Sequence, residues 1–304
     1  MNFKKIMFNP KFLAIGFTAL VLASCNGDKP KEDENNNDSI VDTDTAKTAV
    51  LNVGGELFSV PSPIQTAMLI QKSGVAYDKG ILNTSKSANS YAKDFERALN
   101  LGIYGADLGY VSMYNQTQDA IGYLAAVKQL ADKLGVSAAF DQQTMKRIET
   151  NISNKDSMLV LVGIAYRASD AYLKTNKRNE VSSLILAGGW IESMHFSVSA
   201  YNKKADEGIK YRIAEQKQAL SSIVKLIQSH NMPDAVELSK QLTELEKIYE
   251  GITFKYTFVE PVTDSIKKMT YINSSNEVTV SKEQIDAITA KIAEIRNKII
   301  NVQS

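Results

Sequence analysis

Apolar residues recur at intervals of three and four along most of this chain. Ile121, Leu124, Val127, Leu130, Ala131 and Leu134 keep that spacing up to Gly135, and Leu238, Leu242, Leu245 and Ile248 repeat it later. The period places these side chains on one stripe of an α-helix, which must then be buried against other helices. Proline, the residue that breaks such helices, occurs six times in 304 residues, and Pro10 and Pro30 lie near the N-terminus. The expected fold is therefore all-α, a multi-helix bundle with residues 51–304 as a single domain.

Helical patterns are also read over Pro61 to Gly74, Ser85 to Tyr114, Met158 to Leu173, Val181 to Tyr201, Ile209 to Ile227 and Pro233 to Tyr249. Asp141 stands where it can cap a shorter helix carrying Met145, Ile148 and Ile152. Thr253 to Val259 alternates instead, with Phe254, Tyr256 and Phe258 on one side, which is strand periodicity. Val278 and Val280 offer a partner across Asn273–Asn276, so a small β-hairpin or extended segment is expected near 253–281. Ser281 and Gln284 then form a capping box before a seam of Ile285, Ile288, Ile292, Ile295, Ile299 and Val302. A coiled coil normally needs three to four heptads, so this amphipathic C-terminal helix is read as docking on its own bundle, with oligomerisation the alternative.

Gly102 to Asn115 aligns with Gly189 to Asn202, and Gly102, Val111, Ser112, Tyr114 and Asn115 match Gly189, Val198, Ser199, Tyr201 and Asn202. This predicts two pseudo-repeats, 57–150 and 151–252, with 253–304 as a C-terminal extension. Gly102, Gly105 and Gly109 share one helix face. Each glycine costs a helix about 1 kcal/mol relative to alanine, so three together imply a compensating close approach by another backbone. Ala187, Gly188 and Gly189 supply a similarly thin surface, and the two helices are predicted to cross closely.

The N-terminus has a different character. Lys4, Lys5 and Lys11 precede an apolar run from Phe12 to Ala23, and Leu22-Ala23-Ser24-Cys25 carries the only cysteine of the chain. The run is too short to span a bilayer, which takes about 20 residues. It resembles the signal peptide and lipobox of a bacterial lipoprotein, implying residues 1–24 as signal peptide and a lipid such as palmitate on Cys25. No thiol would then remain for disulfides or metal. Residues 25–50 read as a polar, disordered acidic tether. Within it, Lys31-Glu32-Asp33-Glu34 resembles the export signal that places lipoproteins of Bacteroidetes-type bacteria on the outer face of the outer membrane.

Without residues 1–24 the chain has 32 basic and 34 acidic residues. That balance argues against a nucleic-acid surface. No serine stands in a strained glycine elbow and no glycine-rich loop joins a strand to a helix, so nothing points to catalysis or a nucleotide cofactor.

Isolated ionisable residues mark the central helices: Asp107 in the first, Glu192 and His195 in the second, and Arg167 and Asp170 after Met158. Buried charges are costly unless paired. Asp107, Arg167, Asp170 and Glu192, with His195 and Trp190, therefore form the candidate binding pocket; a purely structural ion-pair network is the other reading. Glu192-Ser-Met-His195 places a carboxylate and an imidazole on one helix face, half of a di-iron bundle motif. His230, the only other histidine, has no glutamate three residues before it, and no metal ligand set is assigned.

Together with the lipobox and the acidic tether, a phrase such as Gly105-Ala-Asp-Leu-Gly-Tyr110 resembles uncharacterised exported lipoproteins of Bacteroidetes-type bacteria. The resemblance implies location and a helical body but no activity. The expected function is a non-catalytic module, anchored to the outer membrane or cell surface, that binds a small molecule or a protein. The alternative is an imelysin-like metal- or ion-binding protein using Glu192 and His195, although that family's Gly-x-His-x-x-Glu motif is replaced here by the reverse order.

Overall fold

A computed structural model describes residues 48–53, 56–139 and 142–301. The lipobox, the acidic run, Asp141 and Val302 lie outside them. The described residues form an all-α bundle of ten α-helices with small antiparallel hairpins.

Strands β1 (Thr48–Val53) and β2 (Glu56–Pro61) pair antiparallel ahead of α1 (Pro63–Lys72). They occupy the end of the expected tether and the start of the expected helical domain. The core is built on α2 (Asp94–Met113) and α6 (Asn179–Lys203), which make the most extensive contact among the described elements. Every residue of α2 from Ala98 to Met113 is buried. Helix α6 is buried almost throughout, as its apolar composition on all sides requires.

Between them in sequence come α3 (Thr117–Lys133), α4 (Gln142–Thr150) and α5 (Lys155–Thr175). Asn115 takes a left-handed conformation, φ 56°, to turn the chain from α2 into α3. Helices α7 (Glu207–Ala214), α8 (Gln216–Ser229) and α9 (Val236–Tyr249) complete the second half.

The glycines act as predicted at the crossing but do not share one neighbour. A Cβ on Gly102 would stand 2.0 Å from the Ile185 carbonyl oxygen, and one on Gly188 would stand 2.0 Å from that of Leu99. The α2 and α6 backbones therefore touch. Gly105 instead admits the Tyr166 ring of α5, and Gly109 admits Ile64 of α1. One thin face of α2 serves three partners.

The C-terminal elements are β3 (Thr253–Thr257), β4 (Val262–Asp264), β5 (Met269–Tyr271), β6 (Ser275–Thr279) and α10 (Lys282–Ile300). Strand β3 pairs with β6, Phe254 opposite Val278, and β4 pairs with β5. The reversal lies at residues 265–268, ahead of the predicted Asn273–Asn276 in the chain, because Asp264 accepts hydrogen bonds from the Ile266 and Lys267 amides, both 3.0 Å, and Lys268 adopts φ 53°. Ser281 and Gln284 make the capping box of α10. Ile285, Ile288, Ile292, Ile295 and Ile299 are all buried, and α10 packs on α6 and α9, so the seam serves this chain's own bundle. No helix among the described residues is long and apolar enough to cross a membrane.

Candidate functional site

Helix periodicity gives α2 two further working faces. Asn100, Tyr104 and Asp107 follow one line, and Leu101, Gly105 and Leu108 the next. The first meets a buried polar cluster and the second lines a cavity.

In the polar cluster, Glu192 is fully buried and its carboxylate is held by Arg296 of α10, with Nε at 2.5 Å from Oε2 and Nη2 at 2.7 Å from Oε1. This is the bidentate geometry that only a guanidinium offers a carboxylate. Burial opposes the Arg296 charge, but the Glu192 carboxylate outweighs it and holds the group above its ordinary value. Arg296 Nη2 also donates to the Ile81 carbonyl at 3.0 Å. His195 Nε2 lies 3.1 Å from the same oxygen, which can only accept, so that nitrogen carries the proton. Burial lowers the His195 pKa and favours the neutral ring.

Asp107 is fully buried, and neither of its carboxyl oxygens makes a hydrogen bond of normal geometry. Burial, followed by the neighbouring Glu192, raises its pKa well above the ordinary carboxyl range, so it is held as the neutral acid. Around it, Asn83 Nδ2 donates to Tyr91 Oη at 3.1 Å and Asn100 Nδ2 to the Ile299 carbonyl at 3.1 Å. Tyr104 Oη donates to the Thr84 carbonyl and Tyr123 Oη to the Asn83 carbonyl, each at 2.8 Å. The cluster ties α2, α6, α10 and the 81–84 loop together.

A pH dependence follows. Below the ordinary aspartate value Asp107 is protonated folded or unfolded. As pH rises, only the unfolded chain releases the proton, so stability falls by up to about 1.4 kcal/mol per pH unit until the buried group ionises. Asp107→Asn is expected to flatten this slope, its advantage over the parent growing with pH; urea denaturation across the acid and neutral range measures it.

The sequence-predicted pocket is corrected in three respects. Arg167 is exposed, and Asp170, 39% exposed, pairs with Lys174 at 2.7 Å and with Ser182. Neither reaches the buried acids, because this part of α5 turns toward solvent. Trp190 is buried, but its indole N–H donates to Gln216 Oε1 at 3.0 Å and links α6 to α8 instead. The cation that joins Glu192 is Arg296, which the isoleucine seam concealed. With both Glu192 oxygens taken by Arg296, Glu192 and His195 do not present a joint ligand pair. Among the described residues no group of three or more His, Cys, Asp or Glu side chains converges to hold a metal. His230 meets Ser183 Oγ at 2.9 Å, well apart from His195.

The second face of α2 opens on a cavity of about 220 Å³ that sequence reasoning did not foresee. Leu101 and Leu108 of α2, Leu124 and Val127 of α3, Met145 and Ile148 of α4, and Val162 of α5 wall it. Ala131 and Ala165 are small where the helices stand apart, and that leaves the space, while Tyr166 covers Gly105. The polar groups that line it include Lys128, Asp132, Ser137 and Ser169. Lys128 pairs with Glu149 of α4 at 2.7 Å, and Asp132 accepts a hydrogen bond from Ser137. Helix α4 buries only Ile148 fully, so it is the least anchored wall. Tyr166 crosses the back, its hydroxyl donating to the Gly102 carbonyl at 3.1 Å.

Compared with protein-family models, curated proteins and solved structures, the chain gives no match to any of them.

Proposed function

We propose that this chain is a lipid-anchored envelope protein whose helical body binds a small apolar ligand between α2, α3, α4 and α5, without catalysis. The observation that carries the reading is the cavity itself: about 220 Å³, walled by aliphatic side chains, with charged groups at Lys128 and Asp132. The cavity is partly open, so its aliphatic walls meet water, and an apolar ligand that covers them recovers that cost. An apolar cavity of about 150 Å³ already admits benzene; this one suits a single-ring aromatic or a short acyl chain.

The thinly anchored α4 supplies the entrance. Parting the Lys128–Glu149 pair costs at most about 1 kcal/mol because both side chains are substantially exposed. Acylation at Cys25 and the acidic run behind it would hold the body at the outer membrane, facing the cell surface.

Titration with N-phenyl-1-naphthylamine, which fluoresces in apolar surroundings, tests the ligand reading. Saturable binding is expected, and Ala165→Phe, which fills the void, is expected to weaken it at least about tenfold while retaining the helical spectrum. Binding that does not saturate, or that Ala165→Phe leaves unchanged, would contradict it.

A further inference from the structure

Between Thr253 and Thr279 the chain leaves the bundle as an arm of two consecutive two-stranded ladders. Its exposure is out of keeping with its composition. Ile266 is 96% exposed, Ile272 76%, Phe258 67% and Tyr256 60%, with Val262 and Met269 each more than half exposed. Contiguous exposed apolar side chains on this scale mark an interaction surface.

Alternation explains the root of the arm. Phe254, Tyr256 and Val278 lie on one face, with Thr253, Lys255, Thr257, Ser275 and Glu277 on the other. Phe254 meets Tyr211 of α7 edge-on, ring centroids 6.3 Å apart, and Lys217 of α8 fixes the base by donating to the carbonyls of Glu250 and Ile252 at 3.0 and 2.8 Å. Farther out, Val262, Met269 and Tyr271 fall on one face of the β4–β5 ladder, and Ile266 projects from the reversal itself, between Asp264 and Lys267-Lys268. A bilayer needs only apolar tips, with cations placed to remain among the headgroups.

The position of the arm points the same way. Strands β1 and β2 pack on α8, the helix whose Lys217 holds the arm's base. Helix α8 has 14 residues, a length of about 21 Å, so the chain arriving from Cys25 and the arm emerge from one small region. Cys25 lies 23 residues before Thr48, a span of at most about 80 Å.

We infer that the arm Thr253–Thr279 is a membrane-docking finger, which sets Ile266, Met269 and Ile272 into the bilayer interface with Lys267 and Lys268 against anionic headgroups. The inference rests on the reading that Cys25 is acylated, since the anchor is what brings the finger to a lipid surface. Docking at a second point would fix the orientation of a body that an anchor alone leaves free.

The test uses the mature chain with Cys25→Ser, so that no acyl chain contributes, and vesicles of phosphatidylcholine and phosphatidylglycerol in equal parts. Ile266→Trp adds a reporter; Trp190, the chain's only tryptophan, is buried and supplies a constant background. A blue shift on adding vesicles, and quenching by brominated acyl chains, are expected. The double substitution Ile266→Asp with Ile272→Asp, at positions whose exposure leaves folding intact, is expected to reduce co-sedimentation with vesicles about tenfold. An unshifted tryptophan overturns the inference, as does equal sedimentation of the parent and the double variant. So does a concentration-dependent dimer that the double variant abolishes, since a second copy is then the occupant. The mass of the Cys25 peptide from cell membranes tests acylation separately: an unmodified cysteine overturns the anchoring reading and leaves the vesicle result standing.

Discussion

Gly188→Ala is expected to prevent the protein from folding stably. The added Cβ would stand 2.0 Å from the Leu99 carbonyl oxygen, 2.8 Å from its carbonyl carbon and 3.0 Å from its Cα. All three are backbone atoms within a helix, so no rotamer change relieves the clash. The α2–α6 pair would have to separate, and every layer packed on it would follow. Alanine restores about 1 kcal/mol of helix propensity, far less than the loss, which should exceed about 4 kcal/mol and approach the whole stability of an ordinary domain. Gly102→Ala should behave alike, since its Cβ would meet the Ile185 oxygen at 2.0 Å and the Gly189 nitrogen at 2.7 Å. Gly122→Ala is the control: its nearest neighbour is the Ser85 hydroxyl at 3.3 Å, the movable end of a side chain. Thermal melts of the three variants should separate the first two from the third.

Arg296→Ala is the second large effect. It leaves the fully buried Glu192 carboxylate with Asp107 beside it and no cation, and breaking a buried pair in this way costs about 3–5 kcal/mol. Replacing both partners, Glu192→Leu with Arg296→Met, should recover most of the loss, since an apolar pair of similar volume carries no desolvation cost. Denaturant unfolding of the two single variants and the double variant gives the coupling energy directly. A double variant as unstable as Arg296→Ala would show that the pair does more than satisfy its own burial.

These two effects sit at opposite ends of what the sequence made legible. The glycine crossing was readable because the cost of glycine in a helix is local: Gly102 and Gly188-Gly189 stand out in any helical pattern. The burial of the C-terminal isoleucines was readable for the same reason, as was the strand character of Phe254 and Tyr256, although the strand ends at Thr257, before Phe258. The partner of Glu192 was not, because it lies 104 residues away and no local rule joins the two. Arg296 follows Ile295 directly, and a cation at the shoulder of a buried seam was the available signal. Arg167 and Asp170 misled in the other direction: small and apolar neighbours resemble a buried face, whereas α5 is buried on one side alone. The β1–β2 hairpin had its mark in Gly54-Gly55 between two short apolar-rich runs. The cavity had no such mark. It exists where Ala131 and Ala165 fail to fill the space between helices, and a space is set by the distance between elements, which no single element specifies.

One face of α2 holds the bundle together through the polar cluster, and the other lines the cavity that we propose holds a ligand. Methionine separates the cavity from the rest of the core: Met145 lines the cavity, while Met194 is buried on α6 away from the residues that wall it. With methyl-labelled methionine, titration of N-phenyl-1-naphthylamine should shift the Met145 resonance saturably and leave that of Met194 in place. A Met194 resonance that moves while Met145 stays fixed would contradict the account.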